Sequence, residues 1–177
     1  TALERSGERG EAAEYYRALA ALRLASLQPA TDGRTRERLA ECARLAPHAN
    51  AEARTAAEFW VLSAACALAA VRLEPMRGLL QQRRAAQALD RAAALDSGNP
   101  RLALLRAEAL ADAVGEMPSA QAVAALDRAV AAFERAPRSG PQWGEAEALA
   151  QLAAARLAEG RLQAARDLIE RALQIAP

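Results

Sequence analysis

The sequence contains no lysine: all 23 basic side chains are arginines, against 22 acidic residues. This absence excludes chemistry that depends on lysine, such as a Walker A phosphate loop, a Schiff base or pyridoxal phosphate attachment. Residues that favour β-strands are also scarce, since the chain has two Ile, five Val, four Thr and 3% aromatics. A β architecture is therefore nearly excluded. The formal net charge of +1 gives no broad field for binding nucleic acid or an anionic membrane.

Long apolar runs and cysteines are scarce as well. No window holds 18 consecutive apolar residues, and the closest stretch, Phe59–Val71, is too short to cross a bilayer. The two cysteines, Cys42 and Cys66, are too few for a disulfide scaffold. The chain begins at Thr1 instead of a methionine, which fits a removed export signal and a trimmed chain equally.

Alanine and leucine dominate what is present, with 51 Ala and 25 Leu among 177 residues. A chain of this length suits one soluble domain that buries about 70% of its unfolded surface. Clusters of turn residues divide it into segments with apolar side chains at helical spacing. The sequence therefore predicts an all-α fold of about eight helices. They are expected at about 11–27, 34–46, 51–72, 78–95, 101–114, 120–136, 145–159 and 162–176.

Capping residues stand at several of the predicted helix ends. Asn99 is expected to cap the fifth helix, with Pro100 in its first turn, where no amide hydrogen is needed. Ser119 and Asn50 are the expected N-caps of the sixth and third helices, and Gly160 suits a left-handed stop. On the last helix one side is apolar and is expected to pack inward, while the charged side faces water. The apolar side comprises Leu162, Ala165, Leu168, Ile169, Ala172 and Ile175.

A short motif recurs near the ends of several predicted helices. Residues 89–97 read Leu-Asp-Arg-Ala-Ala-Ala-Leu-Asp-Ser, and residues 169–177 read Ile-Glu-Arg-Ala-Leu-Gln-Ile-Ala-Pro. Residues 39–47 read Leu-Ala-Glu-Cys-Ala-Arg-Leu-Ala-Pro, and a fourth copy starts at residue 126. A large side chain fills a hairpin core, and a small one three positions later lets the next helix approach. Such units bury their apolar faces only by stacking.

The last 34 residues, 144–177, resemble a tetratricopeptide repeat (TPR). The resemblance implies a right-handed stack of antiparallel helical hairpins, a TPR-like α-solenoid, forming a single domain over residues 1–177. Leu stands where the family has Trp, and Arg156 stands where it has Tyr. Hairpins are expected at about 11–46, 51–95, 101–136 and 145–176, with the register before residue 78 left open. The leucine at the Trp position is Leu149, and the positions that match the family pattern are Leu152, Ala153, Ala165, Ile169, Ala172 and Pro177.

The whole chain also resembles a group of exported bacterial repeat proteins. Two features of that group are present before the last repeat, Gly98-Asn99-Pro100-Arg101 and Pro141-Gln142-Trp143-Gly144. Trp143 is expected to pack as a plug at the start of the last hairpin. The resemblance implies export, which favours the periplasm as the location, but it implies no particular activity.

Cys42 and Cys66 are expected to be buried free thiols, although export would allow a disulfide. If the second and third helices fold back near residue 48, Cys42 lies opposite residue 55. Cys66 is then on the order of 16 Å further along the helix, beyond the reach of a disulfide. Cys42 also occupies the small-residue position of the repeat.

No constellation predicts a catalytic, cofactor-binding or metal site. His48 is the sole histidine, and a metal needs three or four ligands at suitable spacing. Glu108 and Asp112 share one helix face, which fits a solvated face better than an acid–base pair. Two arginine clusters have no interleaved aromatic rings, which favours surface ion pairs over nucleic-acid binding. Their members are Arg34, Arg36, Arg38, Arg83 and Arg84.

Two pairs of adjacent aromatic residues give the best indication of a binding surface. Neighbours on a helix point about 100° apart, so one ring of each pair can be core while the other lines a groove. Packing between helices would account for these rings without a ligand. In a stack of hairpins, the first helix of each hairpin lines the concave face. The candidate binding surface comprises Tyr15, Tyr16, Phe59, Trp60, Leu102, Leu105, Glu147, Ala150, Ala154 and Leu157.

These features predict a non-catalytic scaffold that binds a protein or peptide partner in a mostly apolar groove. The alternative is a periplasmic small-molecule-binding protein of a substrate-uptake system, which would enclose its ligand near the aromatic pairs. A third interpretation, an enzyme, would need a buried carboxylate pair. No cofactor is expected, and self-association stays open.

Overall fold

The computed structural model describes residues 2–27, 33–45, 51–73, 78–112, 119–137 and 140–176. Over these ranges the chain forms eight α-helices and no β-strand, so the predicted all-α class is confirmed. The helices are α1 (Ala2–Leu27), α2 (Gly33–Cys42), α3 (Ala53–Leu73), α4 (Gly78–Leu95), α5 (Pro100–Asp112), α6 (Ala120–Arg135), α7 (Glu145–Ala158) and α8 (Leu162–Ile175).

The helix bounds agree with the sequence-based prediction to within two residues except at two ends. α1 begins at Ala2 instead of near residue 11 and continues through Gly10, because a glycine weakens a helix by only about 1 kcal/mol. α2 ends at Cys42 instead of near residue 46. The N–H of Leu45 donates to the carbonyl of Cys42 (3.0 Å), which closes the helix in a tight turn.

The capping predicted from the sequence is present at two helix starts. The side-chain oxygen of Asn99 accepts hydrogen bonds from two backbone N–H groups in the first turn of α5, at 3.0 and 3.2 Å. Ser119 Oγ accepts one from the N–H of Ala122 at the start of α6 (3.1 Å). Gly160 has the predicted left-handed conformation, with φ +75°. The expected cap Asn50 lies outside the described residues.

Replacing Ser119 with alanine should lower the free energy of unfolding by about 1 kcal/mol, because an N–H of α6 loses its acceptor. Ser119→Asp keeps an acceptor at the same position and should retain most of the stability. Urea unfolding followed by circular dichroism measures both. Equal losses for the two variants would show that the cap contributes nothing.

The chain divides into two compact units, Thr1–Ser97 and Gly98–Pro177. In the first unit α3 is the central helix, since it contacts α1, α2 and α4. The alanine-rich sequence of α3 lets neighbouring helices approach closely, and its larger side chains fill the space between them. The most completely buried residues of α3 are Ala57, Phe59, Val61, Leu62, Ala64, Cys66 and Ala67.

In the second unit consecutive helices pack on one another: α5 on α6, α6 on α7 and α7 on α8. Their shared core holds side chains from all four helices, among them Leu104, Leu126, Val130, Phe133, Leu149, Leu152 and Ala172. This agrees with two successive helical hairpins. The predicted single stack over residues 1–177 stays a prediction.

One helix bears on the question of a membrane span. Residues 53–71 of α3 are long and apolar enough to cross a bilayer by length and composition. The sequence-based exclusion rested on the shorter stretch Phe59–Val71 and did not count the start of this helix. Within the structure 61% of the longer window is buried, as expected of a core helix.

The prediction of free thiols is wrong, because Cys42 and Cys66 form a disulfide with a Cα–Cα distance of 5.8 Å. The prediction assumed a tight return near residue 48. Instead α2 ends at Cys42 and α3 begins only at Ala53, so the end of α2 meets the middle of α3. A second contact agrees: Ser63 Oγ donates to the carbonyl of Ala43 (2.9 Å).

Candidate functional site

The two aromatic pairs of the candidate surface lie in the first unit, and in each pair one ring is more buried than its neighbour, as helical spacing allows. Tyr15 and Phe59 are buried, with ring centroids 5.5 Å apart. Tyr16 is exposed and meets Tyr15 edge to face, also at 5.5 Å. Trp60 is half-buried, and the guanidinium of Arg91 lies 4.5 Å from the centre of its ring. The rings therefore pack on one another and on an arginine, and their role in binding stays a prediction.

A buried carboxylate accompanies the inner aromatic pair. Glu58 precedes Phe59 on α3, and its Oε2 lies 3.4 Å from the hydroxyl of Tyr15, which donates to it. Both residues are buried. Burial of a carboxylate requires such partners, so this contact ties α1 to α3 within the core of the first unit.

Three candidate residues of the second unit stabilise the fold and do not line an open groove. Leu102 and Leu105 are buried on α5 and do not face an open groove. Glu147 caps the start of α7, where its Oε2 accepts a hydrogen bond from the N–H of Gly144 (2.9 Å). That contact satisfies one of the backbone donors at the helix N-terminus.

The remaining three candidates, Ala150, Ala154 and Leu157, line one open groove between α7 and α8. The groove has a volume of about 550 Å³. Alanines of both helices form its floor, and Leu157, Leu162 and Ile169 form its apolar walls. These three side chains are 57%, 67% and 41% exposed. The lining residues are Ala150, Ala153, Ala154, Leu157, Leu162, Ala165, Arg166, Ile169 and Glu170.

Helix α8 contributes five residues to this groove, none of which belongs to the surface predicted from the sequence. The sequence-based prediction assigned Leu162 and Ile169 to an inward stripe, but only Ala165 and Ala172 of that stripe are buried. The sequence does contain an indication of this exposure, because the apolar stripe of α8 has six residues and is wider than one neighbouring helix can cover. α7, the main neighbour of α8, covers the small residues of the stripe and leaves Leu162, Ile169 and Ile175 exposed.

Charged residues lie beside the apolar walls. Arg166 Nε and Glu170 Oε1 form an ion pair of 2.8 Å one helical turn apart on α8. Both line the groove, and both are exposed. Exposed pairs of this kind contribute little to stability.

A second set of charges connects α7 to α6. Arg156 donates to both carboxylate oxygens of Asp127, each at 2.7 Å, and to Glu159 at 3.0 Å. Burial lowers the pKa of Arg156, but its hydrogen bonds to the two carboxylates outweigh this and raise the pKa above the usual value. Both bonds to Asp127 come from Nη2, while Nη1 donates to Glu159, so this charge-assisted contact links the end of α7 to the middle of α6.

The segments Gly98-Asn99-Pro100-Arg101 and Pro141-Gln142-Trp143-Gly144 contact each other through Arg101. Its guanidinium lies 5.6 Å from the centre of the Trp143 ring and 5.8 Å from that of Phe133, and it donates to the carbonyl of Pro141. Trp143 is buried, as the plug prediction requires. Gly144 has φ +97°, and a Cβ there would lie 2.8 Å from Phe133 Cζ. These residues therefore hold the loop before α7 and form no open site.

The other constellations from the sequence add no chemical site. Glu108 accepts a hydrogen bond from Gln151 (2.5 Å), while the side chain of Asp112 and all of His48 lie outside the described residues. In the part of the chain that the structure describes, no group of three His, Cys, Asp or Glu residues could hold a metal ion. The clustered arginines of α2 and α4 lie at or near the surface.

Comparison with known proteins gives no family assignment. No protein-family model matches this chain, and neither the curated proteins nor the solved structures searched contain a match. The groove between α7 and α8, formed by residues of the last predicted hairpin, is an open apolar site in the described part of the chain.

Proposed function

We propose that this chain is a non-catalytic, TPR-like repeat scaffold that binds an apolar segment of a partner protein in the groove between α7 and α8. The observation that carries the proposal is the exposure of Leu157, Leu162 and Ile169 around a floor of alanines. Contiguous exposed apolar side chains with a polar rim are typical of interaction sites.

The composition of the groove favours a peptide or helix over a charged ligand. Six of its nine lining residues are Ala or Leu, a seventh is Ile, and the other two are Arg166 and Glu170. Burial of apolar surface would supply affinity, and the two charges of opposite sign would select the partner. A groove open to solvent along the helices suits an extended or helical segment.

The disulfide supports the expectation of export. Disulfides persist in oxidising compartments such as the periplasm and are rare where glutathione and thioredoxin keep thiols reduced. Cys42 and Cys66 lie on two helices of one unit, as a structural crosslink does. We therefore propose that the scaffold works outside the reducing cytosol.

Replacing Leu157 with arginine should remove most partner binding, because the charge would lie in the wall that the partner covers. We expect at least about a tenfold reduction in the protein that co-purifies from the native host. Native mass spectrometry of gently purified protein measures the bound fraction. The stability of the variant should change little, since Leu157 is exposed.

Leu79→Arg is the matched control, because Leu79 is an exposed leucine of α4 and does not line the groove. It should retain the partner. If both variants retain it, or if both lose it, the groove is not the binding site. A stoichiometric small-molecule adduct that leaves on denaturation would instead favour the alternative of a ligand carrier.

A further inference from the structure

The internal repeat places one motif in two different environments. Leu126-Asp127-Arg128-Ala129 of α6 and Ile169-Glu170-Arg171-Ala172 of α8 agree in residue class at all four positions. On α6 the first residue is 2% exposed, but on α8 it is 41% exposed. Four residues later the difference is larger, because Val130 is 7% exposed and Leu173 is 57% exposed. The alanine is buried in both.

Helix α7 accounts for the difference, since it packs on α6. Leu126 and Val130 share a core with Leu149 and Leu152 of α7. In the described residues the main neighbour of α8 is α7, and the groove runs along the contact between these two helices, where Leu162 and Ile169 stay exposed. The apolar positions that α7 covers on α6 are thus left uncovered on α8.

The charges of the α6–α7 contact have counterparts at the groove. Asp127 of α6 holds Arg156 of α7 by two hydrogen bonds of 2.7 Å. The equivalent residue of α8 is Glu170, an acidic side chain that lines the groove. One turn before it, α8 has Arg166 where α6 has the buried Val123. The groove therefore presents an acid and, one turn away, a base.

The direction of α7 on α6 fixes the order of charges in a matching helix. The start of α7 lies against the end of α6, where a Cβ on Gly144 would lie 2.8 Å from Phe133 Cζ. The end of α7 meets the middle of α6 through Arg156 and Asp127. The two helices are therefore antiparallel. A helix lying on α8 in the same way would bring its arginine to Glu170 and a following acidic residue toward Arg166.

From this we infer that the partner segment is an amphipathic α-helix with the chemistry of α7, resting on the proposed function of the groove. It has an alanine- and leucine-rich face, an arginine that pairs with Glu170, and an acidic residue three positions later that faces Arg166. α7 itself has this order in Arg156 and Glu159. The partner helix lies antiparallel to α8 and covers Leu162 and Ile169, as α7 covers Leu126.

The sequence of α7 supplies the probe. A fluorescently labelled synthetic peptide of residues 144–160, acetylated and amidated, is titrated with the full chain and followed by anisotropy. A version with a hydrocarbon crosslink on its polar face keeps the peptide helical, since short isolated helices are marginal in water. We expect saturable binding of both peptides, with the crosslinked one tighter. If the crosslinked helix does not bind, the inference is overturned.

Charge exchange tests the predicted pairing. Glu170→Arg should weaken binding of the unmodified peptide by about tenfold, since a charge-assisted pair becomes a repulsion. A peptide with Arg156→Glu should bind wild-type protein equally weakly and should recover most of its affinity for the Glu170→Arg protein. Asp167→Arg is the matched control, because Asp167 is exposed on α8 and does not line the groove. It should change the affinity by less than about twofold.

The outcomes separate this inference from the proposed function. If Leu157→Arg loses the natural partner but the charge exchange has no effect, the groove binds proteins and the inferred helix chemistry is wrong. If Leu157→Arg has no effect on either ligand, both proposals fail. Sedimentation supplies a third result: self-association of the chain that Leu157→Arg abolishes would make a second copy the occupant and overturn the inference.

Discussion

Replacing Gly144 with alanine should lower the free energy of unfolding of the Gly98–Pro177 unit by about 3 kcal/mol. Two costs combine at this position. Gly144 has φ +97°, a backbone conformation that residues other than glycine rarely adopt. The new methyl carbon would also lie 2.8 Å from Phe133 Cζ, so the ring would have to move away from Arg101.

Chemical denaturation of the full chain in a Trp60→Phe background measures this change, because Trp143 is then the sole tryptophan and lies next to the altered site. Gly140→Ala is the matched control. Gly140 has φ +106° but no atom within 4 Å of its Cβ position, so it incurs only the backbone cost of about 1–2 kcal/mol. Equal losses at the two glycines would show that contact with Phe133 adds nothing. A smaller loss for Gly144→Ala in a Phe133→Leu protein would support the contact.

Removing the disulfide between Cys42 and Cys66 should lower stability by about 3 kcal/mol. The crosslink joins residues 24 positions apart and restricts the unfolded chain. It also holds the end of α2 against the middle of α3, the central helix of the first unit. Urea unfolding of the wild-type protein with and without dithiothreitol measures the difference.

A protein with both Cys42→Ala and Cys66→Ala is the control for this experiment. It should have the stability of the reduced protein to within the cost of two small cavities, and dithiothreitol should not change it. Alkylation followed by mass spectrometry counts the thiols independently. Two reactive thiols in unfolded protein that was never exposed to a reductant would contradict the disulfide, and with it the support for export.

The positions of the helices could be predicted from the sequence because their causes are local. Asn99 and Ser119 act within their own first turns, and Gly160 acts through its own backbone conformation. The scarcity of β-branched and aromatic residues excludes a sheet whatever the packing. Six helices therefore have predicted and observed bounds within two residues of each other.

The cysteine pair shows where local reasoning fails. The sequence suggested a tight hairpin and a wide separation of the thiols, but the distance between two helices depends on where the first one ends. α2 ends at Cys42, and that position lies beside Cys66 of α3. Nothing in the periodicity of α2 or α3 specifies that offset.

The candidate site also has a part that the sequence predicts correctly and a part that depends on how the helices pack. The sequence placed Ala150, Ala154 and Leu157 on an open face of α7, and the structure places all three in one groove. It also placed Leu162 and Ile169 inside, because an apolar stripe indicates which residues can be buried but not how many neighbours will cover them. Likewise Leu102 and Leu105 were expected in a groove and are core.

By itself, the sequence determined the helical class, most of the helix ends and the repeating motif, because these depend on neighbours within about one turn of chain. Only the tertiary structure decided which of the equivalent positions in the repeats are covered by a neighbouring helix. Leu126 and Ile169 occupy the same place in the repeat, yet α7 buries the first and leaves the second in solvent. Burial is a property of the surrounding elements, and the apolar groove on α8 exists because helices pack on one another in a fixed order.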